Sequence, residues 1–249
     1  MKESDGGRIM DGFRQYDRVL VVVPAYNEAP NLARVLVGLE QSGSFDVVVV
    51  DDNSIDDTRA IALEHGAAVL PLVIRLGAWG AIQTGIRYGL LSGYEIIVTI
   101  DADGQHDPGD IPKLLHEMKS SKADVVIGSC PERGSRARYA AWKMFRGLSG
   151  LKFEDLTSGL KVYSKQAASL LANADATIFD YQDLGVLLYL LQGNMMIKER
   201  KVVMSSRGDV KSRIVDSWFL VLKYMMQTII LCFSMRNFKK PLPVRPTCN

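Results

Sequence analysis

Cysteine is scarce in this chain. Cys130, Cys232 and Cys248 are the only three in 249 residues. They are odd in number and scattered, with no C-x-x-C pair, which speaks against a disulfide framework and against a cysteine zinc site. A reducing compartment fits such usage. Histidine is just as sparse, and His65, His106 and His116 form no metal-ligand pattern. An excess of one charge is also lacking. The formal net charge is +2, too small to argue for nucleic acid as a partner, and no segment resembles an RNA- or DNA-binding module. Residues 1 to 17 are polar and lack the apolar run of a signal peptide, so the expected location is inside the cell. Internal repeats, low-complexity tracts and an obvious interdomain linker are absent too.

What is present is ordinary globular material, 47% hydrophobic and 23% charged, in a length suited to one large domain or two small ones. Valine-rich apolar runs at residues 18–23 (RVLVVV), 45–50 (FDVVVV), 67–74, 95–100 (EIIVTI) and 124–127 (DVVI) read as buried strands. Between them lie segments with helical spacing at 31–40, from Ser54 or Asp56 as a cap to about His65, at 78–91 and at 112–119. Alternation of this kind predicts βαβ units and an α/β fold with a mostly parallel central sheet flanked by helices. Farther on, 159–163 reads as a strand, 165–171 and 183–191 as helices, 194–203 as extended, and 214–233 as a long, nearly apolar helix interrupted by Asp216 and Lys223. The predicted organisation is a loose leader over 1–17, one domain over 18–213, and a C-terminal helix with a basic tail over 214–249.

In such sheets ligands bind beyond the carboxyl ends of the strands. Here those ends carry Pro24-Ala-Tyr-Asn-Glu28, Asp51-Asp-Asn-Ser54, Arg75-Leu-Gly77 and Asp101-Ala-Asp103. Asp101 and Asp103, one residue apart after a buried strand, can aim two carboxylates at one divalent ion, with Gln105 and His106 close by. An Asp-rich turn closing the strand is the plainer reading of the same residues. Gly77 and Gly80 precede a helix, where glycine permits close backbone approach and a helix N-terminus attracts phosphate. Tight helix packing would use them equally well. Arg133, Arg136 and Arg138 place three guanidinium forks in six positions, a pattern suited to phosphate oxygens or to a solvated loop.

Taken in order, VVVPAYNE, DDNSIDDT, RLGAWGAIQTG, DADGQHD, DVVIGS and DLTSGLK resemble the family 2 glycosyltransferases, in the branch typified by dolichyl-phosphate mannose synthase. The resemblance covers roughly residues 18 to 215. It implies the GT-A nucleotide-diphospho-sugar transferase fold, a UDP- or GDP-sugar donor and Mg2+ or Mn2+. It assigns Pro24, Tyr26 and Glu28 to the base and ribose, Asp52 to reading the base, and Asp101, Asp103 and Gln105 to the metal and diphosphate. A strand-ending turn and a helix cap are the non-functional uses of the PAYNE and DDNS segments. Leu76 stands where the family usually has Asn, and Trp79 where it has a small residue, which bears on the shape of the donor pocket.

On the acceptor side, the resemblance points to the loop holding Arg133, Arg136 and Arg138. It implies an inverting transfer to a polyprenyl phosphate. Gly128-Ser129-Cys130 replaces the usual GSR, so one expected arginine is missing. Asp155 to Lys161 matches a D-x-T-S-G-F-R element, whose Ser158 is expected at the floor of the sugar site. Asp183 lies near a position where many relatives place a catalytic carboxylate. A phosphate-monoester acceptor is already nucleophilic at neutral pH, whereas a sugar hydroxyl in surface polysaccharide synthesis would need Asp183 as base. Arg207 and Lys211 match a basic R-x-x-G-K-S-like element, with Val210 at the usual glycine. The apolar 214–233 helix and the cations after it suit an anionic membrane surface, giving a peripheral protein at the inner face of the membrane. Contact in a homo-oligomer and burial against the domain are the other uses of that helix. A catalytically silent nucleotide-sugar binding protein is the remaining alternative.

Overall fold

The computed structural model describes residues 18–133, 143, 146–147, 153–155, 157–178, 184–205 and 226. Seven strands among them form one sheet: β1 (Val19–Ala25), β2 (Asp46–Asp51), β3 (Ala68–Pro71), β4 (Ile96–Thr99), β5 (Val125–Ser129), β6 (Lys161–Ser164) and β7 (Ile197–Lys201). Their spatial order is β3-β2-β1-β4-β6-β5-β7. Neighbours run parallel except at β6, which is antiparallel to both β4 and β5.

Among the described residues, six helices pack on the two faces: α1 (Ala29–Ser42), α2 (Thr58–Glu64), α3 (Gly77–Leu91), α4 (Ile111–Ser121), α5 (Lys165–Leu171) and α6 (Leu184–Gln192). Alternation within β1 sorts the core into two layers, because successive side chains of a strand point to opposite faces. Leu20 and Val22 join Trp79, Ile82 and Ile86 of α3 and Leu184, Leu187 and Leu190 of α6. Val21 and Val23 join Leu32, Val35, Leu36 and Leu39 of α1 and Ile111, Leu114 and Leu115 of α4. Both faces are thus covered, the requirement of a largely parallel sheet.

The predicted strand over 67–74 is shorter than expected. β3 stops at Pro71, level with the last residue of β2, Asp51, whose carbonyl accepts from Leu72 N–H at 2.9 Å, and Val73 and Ile74 are left 92% and 65% exposed. The expected cap of α2 also differs. Asp57 takes the N-cap position without a capping bond from its side chain. Asp56, one residue earlier, accepts from the Thr58 N–H at 3.1 Å instead. The leader, the basic loop beyond Arg133 and the 206–249 stretch apart from Met226 lie outside the described residues.

Candidate functional site

The register brings the chemistry to one edge. Ala25 pairs with Asp51 and Val22 with Thr99, so the loops after β1, β2 and β4 leave the sheet side by side. Because β6 is reversed, its first residue, Lys161, pairs with Thr99 and Ile127 at the same edge. The DLTSGLK segment therefore enters the rim from the opposite chain direction.

After β1, Asn27 takes a left-handed conformation (φ 51°), and Asn53 does the same after β2 (φ 63°), a backbone region that asparagine tolerates better than most residues. The second loop holds the first. Ser54 Oγ accepts from Asn27 N–H at 3.0 Å, Thr58 Oγ1 from Glu28 N–H at 2.8 Å, and Asp56 from Ala29 N–H at 3.2 Å. Asn27 returns a bond by accepting from Ile55 N–H at 2.9 Å. The DDNSIDDT motif thus brackets the PAYNE loop and satisfies the opening N–H groups of α1. Burial works to raise the Asp56 carboxyl, but bonds from the Thr58 hydroxyl, Thr58 N–H and Ala29 N–H outweigh it and hold it below its ordinary value. Glu28 accepts from Asn31 Nδ2 at 2.9 Å, and Pro30 sits in the first turn of α1, where its missing N–H costs nothing.

Asp52 is 3% exposed and accepts from Leu76 N–H at 2.6 Å and Gly77 N–H at 2.9 Å, with Arg75 Nε at 3.9 Å. The same Arg75 lays its guanidinium 3.9 Å from the centre of the Tyr26 ring. Tyr26, Asp52, Arg75 and Gly77 consequently form one cluster, as the sequence motifs suggested for all but the stacking. Gly77 has φ +80°, which a side chain would strain, and a methyl at Gly80 would run into Leu76 Cβ. Leu76 itself is half-exposed, and Trp79 is buried. The Trp79 indole turns into the core and donates to the Ala176 carbonyl at 2.7 Å, so the departure at this position is absorbed by packing.

Asp101 follows Ile100 out of β4, and its carboxylate lies directly on Gly159, where a methyl would overlap it. Asp103 Oδ1 accepts from Gln105 N–H at 3.0 Å, turning the chain through Gly104 at φ +70°. Arg34 of α1 reaches over this turn and donates to the Gly104 carbonyl at 3.3 Å. His106 is buried and forms an isolated bridge with Met204, and the Gln105 carbonyl accepts from Ser205 N–H at 2.8 Å. The chain beyond β7 is therefore sewn onto the D-x-D loop. Two hard carboxylate donors and the Gln105 amide suit Mg2+ or Mn2+, which keep positions for phosphate oxygens. Among the described residues no group of three or more His, Cys, Asp or Glu could hold a metal.

Asp155, Ser158 and Lys161 are fully buried. Asp155 accepts from Cys130 N–H at 3.3 Å and Thr157 N–H at 3.0 Å. Ser158 Oγ donates to the Gly128 carbonyl at 2.5 Å, and Glu199 of β7 accepts from Glu154 and Asp155 N–H groups at 2.9 and 3.0 Å. Cys130 is packed in the α1/α4 core layer with Leu160 and Val202. Arg133 closes a short 3-10 turn, Pro131–Arg133. Arg136, Arg138, Asp183, Arg207 and Lys211 lie outside the described residues.

Arg34, Glu199 and the stacking of Arg75 carry no signal in the sequence. Arg34 lies within α1 and Glu199 in β7, where charged residues read as solvent-facing. A cleft of about 370 Å³ lined by Glu95, Lys119, Ser164 and Lys165 opens at the other end of β4, away from this rim.

Residues 20–176 match the family model described as Glycosyl transferase family 2. The undecaprenyl-phosphate mannosyltransferase of Micrococcus luteus is 36% identical over 163 residues, covering 59% of this chain and 66% of the relative. The polyprenol monophosphomannose synthase of Mycolicibacterium smegmatis is 30% identical over 182 residues, covering 66% and 68%. The chain thus spans about two thirds of the length of each relative. Glucosyl-3-phosphoglycerate synthase from Mycobacterium tuberculosis, solved with Mn2+, UDP-glucose and phosphoglyceric acid, superposes with a TM-score of 0.68 at 20% identity, over 94% of this chain and 85% of that one. At that identity the likeness shows the fold, a GT-A architecture.

Proposed function

The chain belongs to glycosyl transferase family 2, and we propose that this glycosyltransferase moves a sugar from a nucleotide diphosphate donor to a polyprenyl phosphate, with inversion and with a divalent cation. The observation that carries the proposal is the meeting, on one rim, of the Tyr26–Asp52–Arg75 cluster with the Asp101–Asp103–Gln105 turn. Two relatives whose names specify mannosyl transfer to polyprenyl phosphates support the acceptor class.

In this reading Tyr26 and Pro24 line the base, Asp52 and Glu28 fix the base and ribose, and Gly77 and Gly80 let α3 begin close to the phosphates. Asp101, Asp103 and Gln105 would hold Mg2+ or Mn2+, which supplies neutralisation of the diphosphate as it leaves. The loop with Arg133, Arg136 and Arg138, together with Arg207 and Lys211, receives the acceptor phosphate. A phosphate monoester needs no base, so Asp183 would be required as general base only with a sugar hydroxyl as acceptor. The rim aligns the attacking oxygen opposite the leaving group, and that alignment supplies much of the acceleration. Ser158 belongs to the floor below the sugar. We further propose that 18–213 is the catalytic domain and that 214–249 lies on the membrane surface, where a lipid acceptor is found. Among the described residues no helix is long and apolar enough to cross a membrane.

The test is product analysis. Purified protein with UDP- and GDP-sugars, Mn2+ and a polyprenyl phosphate is expected to give a lipid-linked monosaccharide. Transfer only to a sugar hydroxyl, with the lipid phosphate untouched, would refute the acceptor assignment.

A further inference from the structure

Lys161 is the one fully buried lysine among the described residues. It opens β6 between Thr99 and Ile127, and directly paired residues of neighbouring strands share a face. Its stem therefore leaves the sheet on the side of Tyr163 and Ile127, in the apolar α3/α6 layer. A lysine head group in such a place must be hydrogen-bonded to be tolerated. Here Nζ donates to the Ser158 carbonyl at 2.5 Å, the residue immediately before Gly159.

That turn is held from two further sides. Ser158 Oγ donates to the Gly128 carbonyl at 2.5 Å, and Thr99 Oγ1 donates to the Gly159 carbonyl at 3.0 Å. The surface so fixed is the one on which the Asp101 carboxylate rests, since a methyl on Gly159 would occupy the carboxylate's place. We infer that Lys161 is a positioning residue for Asp101: by clamping the Ser158–Gly159 turn it sets the seat of the first D-x-D carboxylate before any ligand arrives. The inference rests on the proposed function only for what Asp101 binds, not for how it is held. The related element carries arginine at this position, which also keeps a donor at the end of a long stem.

The test uses Lys161→Met, which keeps the stem and removes the donor, Lys161→Arg as rescue, and Thr99→Val as a milder loosening from the other side. Titration of Mn2+ with UDP or GDP, followed by calorimetry on folded protein, is expected to show a 10- to 100-fold weaker metal-dependent affinity in Lys161→Met, the usual scale for outer-shell partners. Lys161→Arg should restore most of it, and Thr99→Val should move it the same way as Lys161→Met. Asp101→Asn combined with Lys161→Met should lose no more than Asp101→Asn alone. A ligand-free crystal structure of Lys161→Met, or of Thr99→Val if the first does not fold, should show the Asp101 carboxylate displaced from Gly159. A carboxylate that stays in place overturns the inference, as do unchanged affinity or additive losses. If wild-type protein shows no metal-dependent nucleotide binding, the proposed function fails, and the position of Asp101 in the variant structure still decides the inference.

Discussion

The two halves of the rim differ in how much of their polar framework is buried. On the β1–β2 side, the loops at 26–28 and 53–57 are partly or fully exposed above the buried Asp52 and Thr58, and short polar side chains hold backbone N–H groups across the gap. On the β4–β6 side, Asp155, Ser158 and Lys161 are fully buried and are tied to β5 and to their own turn. A hydrogen bond open to water contributes modestly, whereas a buried polar group is costly to leave unpartnered. The first side is thus suited to adjusting around a ligand, and the second to holding its carboxylates in advance. Preorganisation is most valuable where charge changes during reaction, and in the proposed function that is the D-x-D side.

The contrast is broken most strongly at Asp155. Asp155→Ala strands the buried Cys130 N–H and the part-buried Thr157 N–H and is expected to cost about 3 kcal/mol, read from urea unfolding. A loss as small as that of an exposed polar truncation would erase the distinction between the two sides. Gly77→Ala comes next. It forces a side chain into φ +80° and should cost about 1–2 kcal/mol, with weaker donor binding because Asp52 loses its N–H geometry. Equal stability and affinity would show that this loop adapts without cost.

The smallest effect sharpens the picture on the exposed side. The Asp56 carboxyl is held below its ordinary value of 3.8, so its contribution is present above that pH and is lost as pH falls through the lower folded value. Asp56→Asn should lower the Tm at neutral pH, and the difference should vanish on acidification below 3.8. A difference that persists in acid would assign the effect to something other than the carboxylate.

Much of this was legible in the sequence. Valine runs ending in polar clusters located β1, β2, β4 and β5, and the order of those clusters named the rim, because in a parallel sheet position after a strand predicts position in space. The remainder depended on tertiary partners. Reversal of β6 is invisible in KVYS itself and is set by pairing with β4 and β5. Trp79 reads as an intruder near glycines until the Ala176 carbonyl accepts its N–H. Lys161 falls in the DLTSGLK element, and only the folded structure shows that it is buried. Apolar residues 72–74 looked like strand because composition does not reveal that β2, their neighbour, ends at Asp51.

The proposed activity requires a cation-dependent donor site shared by the two halves of the rim. The direct measurement is thermal stability of the wild-type and Asp103→Ala proteins with UDP- or GDP-sugars, with and without Mn2+. For wild type, a donor at about 100 times its Kd should add about 2.7 kcal/mol of stability, only when the metal is present, and Asp103→Ala should abolish that gain. Equal stabilisation of both proteins, or stabilisation independent of Mn2+, would contradict it.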